Sequence, residues 1–237
     1  FTKTLTTGEV LRVTSAINGD SIRPSLNGGG GTIVFESTAP LTGVVSVAGI
    51  SQIFAYVRPF NTMVQLTDGR GPSTHPMANV EGAQIAFEST ARLLGDKADT
   101  GVSQIFVSHL NKNTFVATLN QITNGNAPSR HPHLSEKDNV VAFDSVATNF
   151  PGTPNGPGSK VYLASTKDGN FPLLEQFTSF NTHGDCTFPA LDPFAQHFVM
   201  LCSGDRLLNH TTGNRLFVLN RDPDPTHDPA RVVLRQL

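Results

Sequence analysis

Tryptophan is missing from these 237 residues, and only 15% of them are charged. No apolar run approaches the 18 residues that a membrane-crossing helix needs, and no secretory leader is recognisable. A net charge of −2 leaves no basic stripe of the kind that binds nucleic acid. The familiar catalytic signatures are missing as well. There is no Gly-x-Ser-x-Gly elbow, phosphate-binding glycine loop, His-Glu-x-x-His or Cys-x-x-Cys. Residues 28–31 are all glycine, but no helix follows to make them a phosphate cradle. Ser, His and Asp occur without a spacing that selects a triad, and no segment shows a helical period. Asn, Thr, Ser and Gly fill the places of the missing charges, a composition common outside the cell. The sequence opens on Phe1 rather than Met, as expected of a processed or excised piece. Its length could bury a substantial core as one domain.

What is present is a pattern written four times. Its copies begin at Ser21-Ile22-Arg23-Pro24, Ser73-Thr74-His75-Pro76, Ser129-Arg130-His131-Pro132 and Cys186-Thr187-Phe188-Pro189. A large apolar residue (Phe35, Phe87, Phe143 or Met200) follows each proline by eleven positions. Two residues later comes Ser37, Ser89, Ser145 or Cys202. The prolines are 52, 56 and 57 residues apart, a period typical of propeller blades. Each copy then continues through an apolar run such as Gln104-Ile105-Phe106-Val107 to a Gln-Leu-Thr-like end such as Gln65-Leu66-Thr67. Residues 1–14 match that second half alone.

Each repeat holds four strand-sized apolar runs broken by Gly, Pro, Asn and Asp. Four short strands per repeat make the blade of an all-β propeller of four-stranded antiparallel blades. The prolines fit an edge strand facing the central channel, where a missing N–H is tolerated. The expected blades are residues 21–67, 73–123, 129–178 and 186–237. Residues 1–14 form the outer strands of a preceding blade, so the whole is one propeller domain or a fragment of one. An arc of four and a half blades leaves missing blades to be supplied by absent sequence or by another chain, because bare strand edges are avoided in soluble proteins.

Ser-x-x-Pro, then (Ile/Val)-x-Phe-(Glu/Asp)-Ser, Ile-Phe-Val and Gln-Leu-Thr resembles the TolB-type propeller repeats of bacterial extracytoplasmic proteins. The segment from Ile85 through Ser89 to Val107 is the closest copy. Departures are Leu26, Ala78, Leu134 and Leu191, where that family has an aromatic residue after the proline, and irregular turns in place of Asp-Gly. The resemblance implies a fold and a periplasmic or secreted location. It does not imply one function, since such propellers serve both as binding scaffolds and as domains of enzymes.

Four groups of residues could carry chemistry. Cys186 and Cys202 replace a serine pair that stands 16 apart in the other three copies. Facing positions on a hairpin suit a disulfide in an oxidising compartment, although two buried thiols are the alternative. Arg23, His75, His131 and Phe188, with His133 nearby, would ring the channel mouth and could hold a polar or anionic ligand, pH-sensitive through the imidazoles. Their alternative role is packing against Phe35, Phe87 and Phe143. Glu36, Glu88 and Asp144 recur as building elements, with Asp144 facing Arg130 as an ion pair. Asp96 and Asp99 offer two oxygens toward calcium, too few for a cage, and the equivalent loops 40–49, 151–158 and 207–213 carry no carboxylate. No cofactor is implied.

The expected function is a non-enzymatic extracytoplasmic propeller that binds a protein or a cell-surface polysaccharide, without catalytic residues of its own. Two alternatives stand beside it. One is the propeller portion of a larger hydrolase whose catalytic domain lies outside these residues, and the other is a structural component of an extracellular assembly.

Overall fold

The computed structural model describes residues 1–15, 18–44, 46–137, 139–150, 158–166, 174–176, 178, 184–203, 215–220 and 235–236. Among these the secondary structure is β, apart from one 3₁₀ turn at Arg58–Phe60. The loop 207–213 and nearly all of 151–158 lie outside the described residues.

Four four-stranded antiparallel sheets follow one another along the chain. The first joins β3 (Ser21–Leu26), β4 (Thr32–Ser37), β5 (Gln52–Val57) and β6 (Thr62–Gln65). The second joins β7 (Ser73–Ala78), β8 (Gln84–Ala91), β9 (Asp99–Asn111) and β10 (Val116–Gln121). The third holds β11 (Ser129–Leu134), β12 (Val140–Ser145), β13 (Lys160–Ser165) and β14 (Leu174–Gln176). The fourth holds β15 (Cys186–Leu191), β16 (His197–Cys202), β17 (Arg215–Asn220) and β18 (Arg235–Gln236). A two-stranded ribbon, β1 (Thr2–Lys3) with β2 (Val10–Leu11), precedes them.

The core lies between sheets. Val34, Ile53, Ala55 and Leu66 of the first sheet pack on Ile85, Phe87 and Phe106 of the second. Ala86, Ile105 and Val107 then meet Val141, Phe143 and Tyr162 of the third. Ala142, Val161 and Leu163 meet Phe198, Met200 and Phe217 of the fourth. Strands buried on both faces read as near-continuous apolar runs, which is why β5 and β13 show no clean alternation. Among the described residues no apolar cluster joins the fourth sheet to the first. The outer face of the first sheet instead packs Ile33, Phe35, Phe54 and Tyr56 on Leu11 and Val13 beside the ribbon.

The first strand of every sheet (β3, β7, β11, β15) is an edge, and these edges lie side by side in sequence order. Each carries its proline at a bulge. The register runs Ser73 opposite Ser89 and Thr74 opposite Glu88, then slips by one so that Met77 faces Ala86. The same slip occurs in the other three. A constant cross-strand register would have set the residue before each proline opposite Phe35, Phe87, Phe143 or Met200, and the bulge removes it from that position. Arg23, His75, His131 and Phe188 all adopt a left-handed backbone, with φ between 50° and 54°, a conformation uncommon for residues with a side chain.

Candidate functional site

The bulges turn these four residues toward a common mouth. A cavity of about 300 Å³ opens there, lined by Arg23, His75, His131, His133, Phe188 and the neighbouring prolines. The structure therefore brings together every ring residue expected from the sequence. The rings of His75 and His131 stand edge to face at 6.3 Å, and His131 lies against Phe188 at 3.8 Å.

Three buried carboxylates stand behind the ring, and each does two jobs. Glu36 takes the Arg23 guanidinium of its own sheet and, through Oε2, the backbone N–H of His75 in the next at 3.0 Å. Glu88 Oε1 lies 3.5 Å from His75 Nδ1 and accepts the His131 N–H at 2.8 Å. Asp144 Oδ1 holds His131 Nδ1 at 2.7 Å and accepts the Phe188 N–H at 3.0 Å. Each acid thus pairs with a side chain of its own sheet and caps the left-handed amide of the following one. The fourth sheet changes both partners together, with Phe188 on the ring and Leu201 at the acid position. Recurrence marked these acids as structural, but nothing in the sequence placed their second partner one repeat away. Arg130 does face Asp144 in register, yet the Asp144 carboxylate turns to His131 and Phe188 instead of pairing with it.

The two imidazoles of the His131-Pro132-His133 run behave oppositely. The hydrogen bond that His131 donates to Asp144 raises its pKa above the ordinary 6.5, against some desolvation. Burial lowers that of His133, whose Nδ1 accepts the Leu191 N–H at 3.1 Å. His133 lines the cavity but is committed to joining the third and fourth sheets.

Cys186 and Cys202 face each other and form a disulfide, with Cα atoms 4.1 Å apart. The serine pairs at the three equivalent places (Ser21–Ser37, Ser73–Ser89, Ser129–Ser145) make Oγ–Oγ hydrogen bonds of 3.0 Å each. Asp96 and Asp99 serve their own loop, accepting the N–H groups of Ala98 and Gly101. Among the described residues no three acidic, His or Cys groups converge as a metal site.

A larger cavity, about 770 Å³, lies at the β7–β8 and β11–β12 turns, lined by Asn79, Gln84, His109, Lys137 and Asn139 among others. Sequence reading missed it because its residues come from turns and adjoining strand ends that share no common spelling between repeats. Gln84 bridges the two sheets there, donating to Asn139 Oδ1 and accepting from Thr166.

No family model and no curated protein sequence matches the chain. Solved structures do. TolB from Acinetobacter baumannii superposes with a TM-score of 0.52 at 19% identity, over 92% of this chain and 45% of that one. An oligogalacturonate lyase in complex with manganese gives 0.54 at 12% identity, over 92% of this chain and 55% of the lyase. The tricorn protease gives 0.55 at 9%, over 92% and 22%. The chain spans less than half the length of that TolB. At such identities the likeness concerns the fold, which is a TolB-like β-propeller fold.

Proposed function

We propose that the chain is a non-enzymatic, extracytoplasmic binding scaffold of four-stranded propeller blades. On this reading its inner-strand mouth receives a protein or cell-surface polymer. One observation carries it: the side chains that differ between repeats at the mouth are held by parts that do not differ. Arg23, His75, His131 and Phe188 share one backbone conformation, and three of them share one carboxylate arrangement. Variable groups on a repeated frame suit recognition, whereas catalysis needs singular residues converging on a reacting atom. The cations are matched by buried acids, so an anionic group of a partner competes for His131 and His75 best when both are protonated. The likeness to TolB and the disulfide support a location outside the cytoplasm. The likeness to a lyase and a protease supports the second reading, a propeller portion of a larger enzyme.

Calorimetric titration of the chain with an acidic decapeptide and with polygalacturonate, at pH 5.5 and 7.5, tests the mouth. The expected result is binding at pH 5.5 that weakens several-fold in a His75→Ala/His131→Ala double variant whose blades remain folded. Equal binding by the variant discards the mouth as the site. Robust hydrolase turnover by the purified chain, lost on replacing any one serine, overturns the non-enzymatic reading.

A further inference from the structure

The first sheet has an inner strand whose surroundings differ from those of its three counterparts. Ser73, Ser129 and Cys186 are wholly buried, and Pro76, Pro132 and Pro189 are buried too, while Ser21 and Pro24 are exposed. Leu26 is exposed where Ala78 and Leu134 are buried. What covers β7, β11 and β15 is mainly the inner pair of strands of the preceding sheet, with its third strand alongside. That pair also supplies the carboxylate that caps the left-handed amide. No carboxylate stands at the Arg23 N–H among the described residues, although Arg23 has the same φ of 50°.

The ribbon beside the first sheet identifies the rest. Leu11 and Val13 pack on the first sheet as Val64 and Leu66 pack on the second, so β1–β2 is the outer pair of a sheet. Thr2 faces Leu11, and one further step of that register sets Phe1 opposite Arg12. The equivalent pairs are Phe54 with Gln65, Phe106 with Gln121, Tyr162 with Gln176 and Phe217 with Gln236. Phe1 therefore occupies the aromatic place of the third strand. Phe54, Phe106 and Tyr162 are buried there, each stacked on the second-strand phenylalanine of its own sheet (Phe35, Phe87 and Phe143) at 5.6–6.0 Å. Phe1 is 86% exposed. Between Phe1 and Val13 on one side and Ser21, Ile22, Pro24 and Phe35 on the other lies a narrow groove.

We infer that this groove is the seat of a two-stranded β-hairpin of the same repeat, whose second strand carries Phe-(Glu/Asp). Its first and second strands extend the ribbon at the free edge of β1, as an added strand extends any open sheet. Its phenylalanine stacks on Phe1, and its carboxylate caps the Arg23 N–H. The hairpin comes from polypeptide other than residues 1–237. The far end of this chain cannot supply it in a second copy, because its fourth sheet presents Met200 and Leu201 at the two decisive places.

The test joins a second copy of residues 73–105 directly ahead of Phe1, so that Phe1 takes the place of Phe106. Hydrogen exchange of the Arg23 amide and thermal unfolding are then followed. The inferred seating slows Arg23 exchange at least tenfold and raises Tm by several degrees. Glu88→Ala in the grafted copy alone returns Arg23 exchange to its starting rate while much of the Tm gain remains, since the aromatic stack persists. Arg23 exchange unchanged by the graft overturns the inference. So does an Arg23 amide already protected in the ungrafted chain together with a dimer in sedimentation velocity, which makes a second copy the occupant.

Discussion

The imidazole of His131 lies against the ring of Phe188 at 3.8 Å while its Nδ1 is held by Asp144 at 2.7 Å. One face of the ring is apolar, and one edge is bonded to a carboxylate.

From that arrangement the titration of neighbouring histidines follows in opposite senses. His131, raised by Asp144, contributes stability that is complete below its unfolded value near 6.5 and is lost as pH rises through its folded value. His133, lowered by burial, contributes stability above 6.5 that is lost as pH falls. Nitrogen-15 NMR of the ring nitrogens should place His131 above and His133 below 6.5, and Asp144→Asn should bring His131 down. A His131 that titrates below 6.5 in the unmodified chain contradicts the assignment.

Reduction under denaturing conditions should add the mass of two hydrogens, reporting the Cys186–Cys202 bridge. In the chain-entropy picture, closing so short a loop stabilises by about 3 kcal/mol. The double variant Cys186→Ser/Cys202→Ser should still fold, since a serine pair occupies this place in the other three sheets. Its urea midpoint should fall accordingly, and an unchanged midpoint would count against any contribution from the bridge.

Tyr162 is the odd member of its set. Phe54, Phe106 and Phe217 hold the equivalent place, and the buried Tyr162 hydroxyl has no partner among the described residues. Burial pushes its pKa up to about 12. Tyr162→Phe should therefore gain about 1 kcal/mol by removing an unsatisfied polar atom, read as a Tm rise of roughly 2–4 °C for a domain of this size. A lower Tm would mean that the hydroxyl is satisfied in solution.

Glu88→Ala deprives the left-handed amide of His131 of its acceptor and His75 of its buried partner. Leaving a buried donor unpaired costs about 1–3 kcal/mol, so denaturant unfolding should shift by that much. Glu81→Ala, on the β7–β8 turn, serves as the control. Equal effects from the two substitutions would remove the joint from the account.

Much of the frame was legible because repetition converts spacing into evidence. Four prolines at a common distance from a phenylalanine and a serine placed the edge strand, its neighbour and the facing Cys186–Cys202 pair. The mouth residues were legible for the same reason. What spacing could not convey was the one-residue slip at each proline, since all four copies carry the same extra residue and their spacings stay equal. Nor could it show that Glu36, Glu88 and Asp144 reach into the next repeat, because a side chain with two oxygens has no sequence mark for its second partner. His133 read as a mouth imidazole, and burial together with the Leu191 N–H made it a strut. The Asn79–Asn139 cavity was invisible because its turns and the strand ends beside them differ from repeat to repeat.

The left-handed residue before each proline has a consequence for how such a surface can change. Its direction is imposed by the bulge and the proline, not by the identity of its own side chain. Arg23, His75, His131 and Phe188, chemically unlike, share a φ within four degrees. The mouth therefore behaves as movable type in a fixed forme: a position can be reset from cation to aromatic without recasting the sheet that holds it.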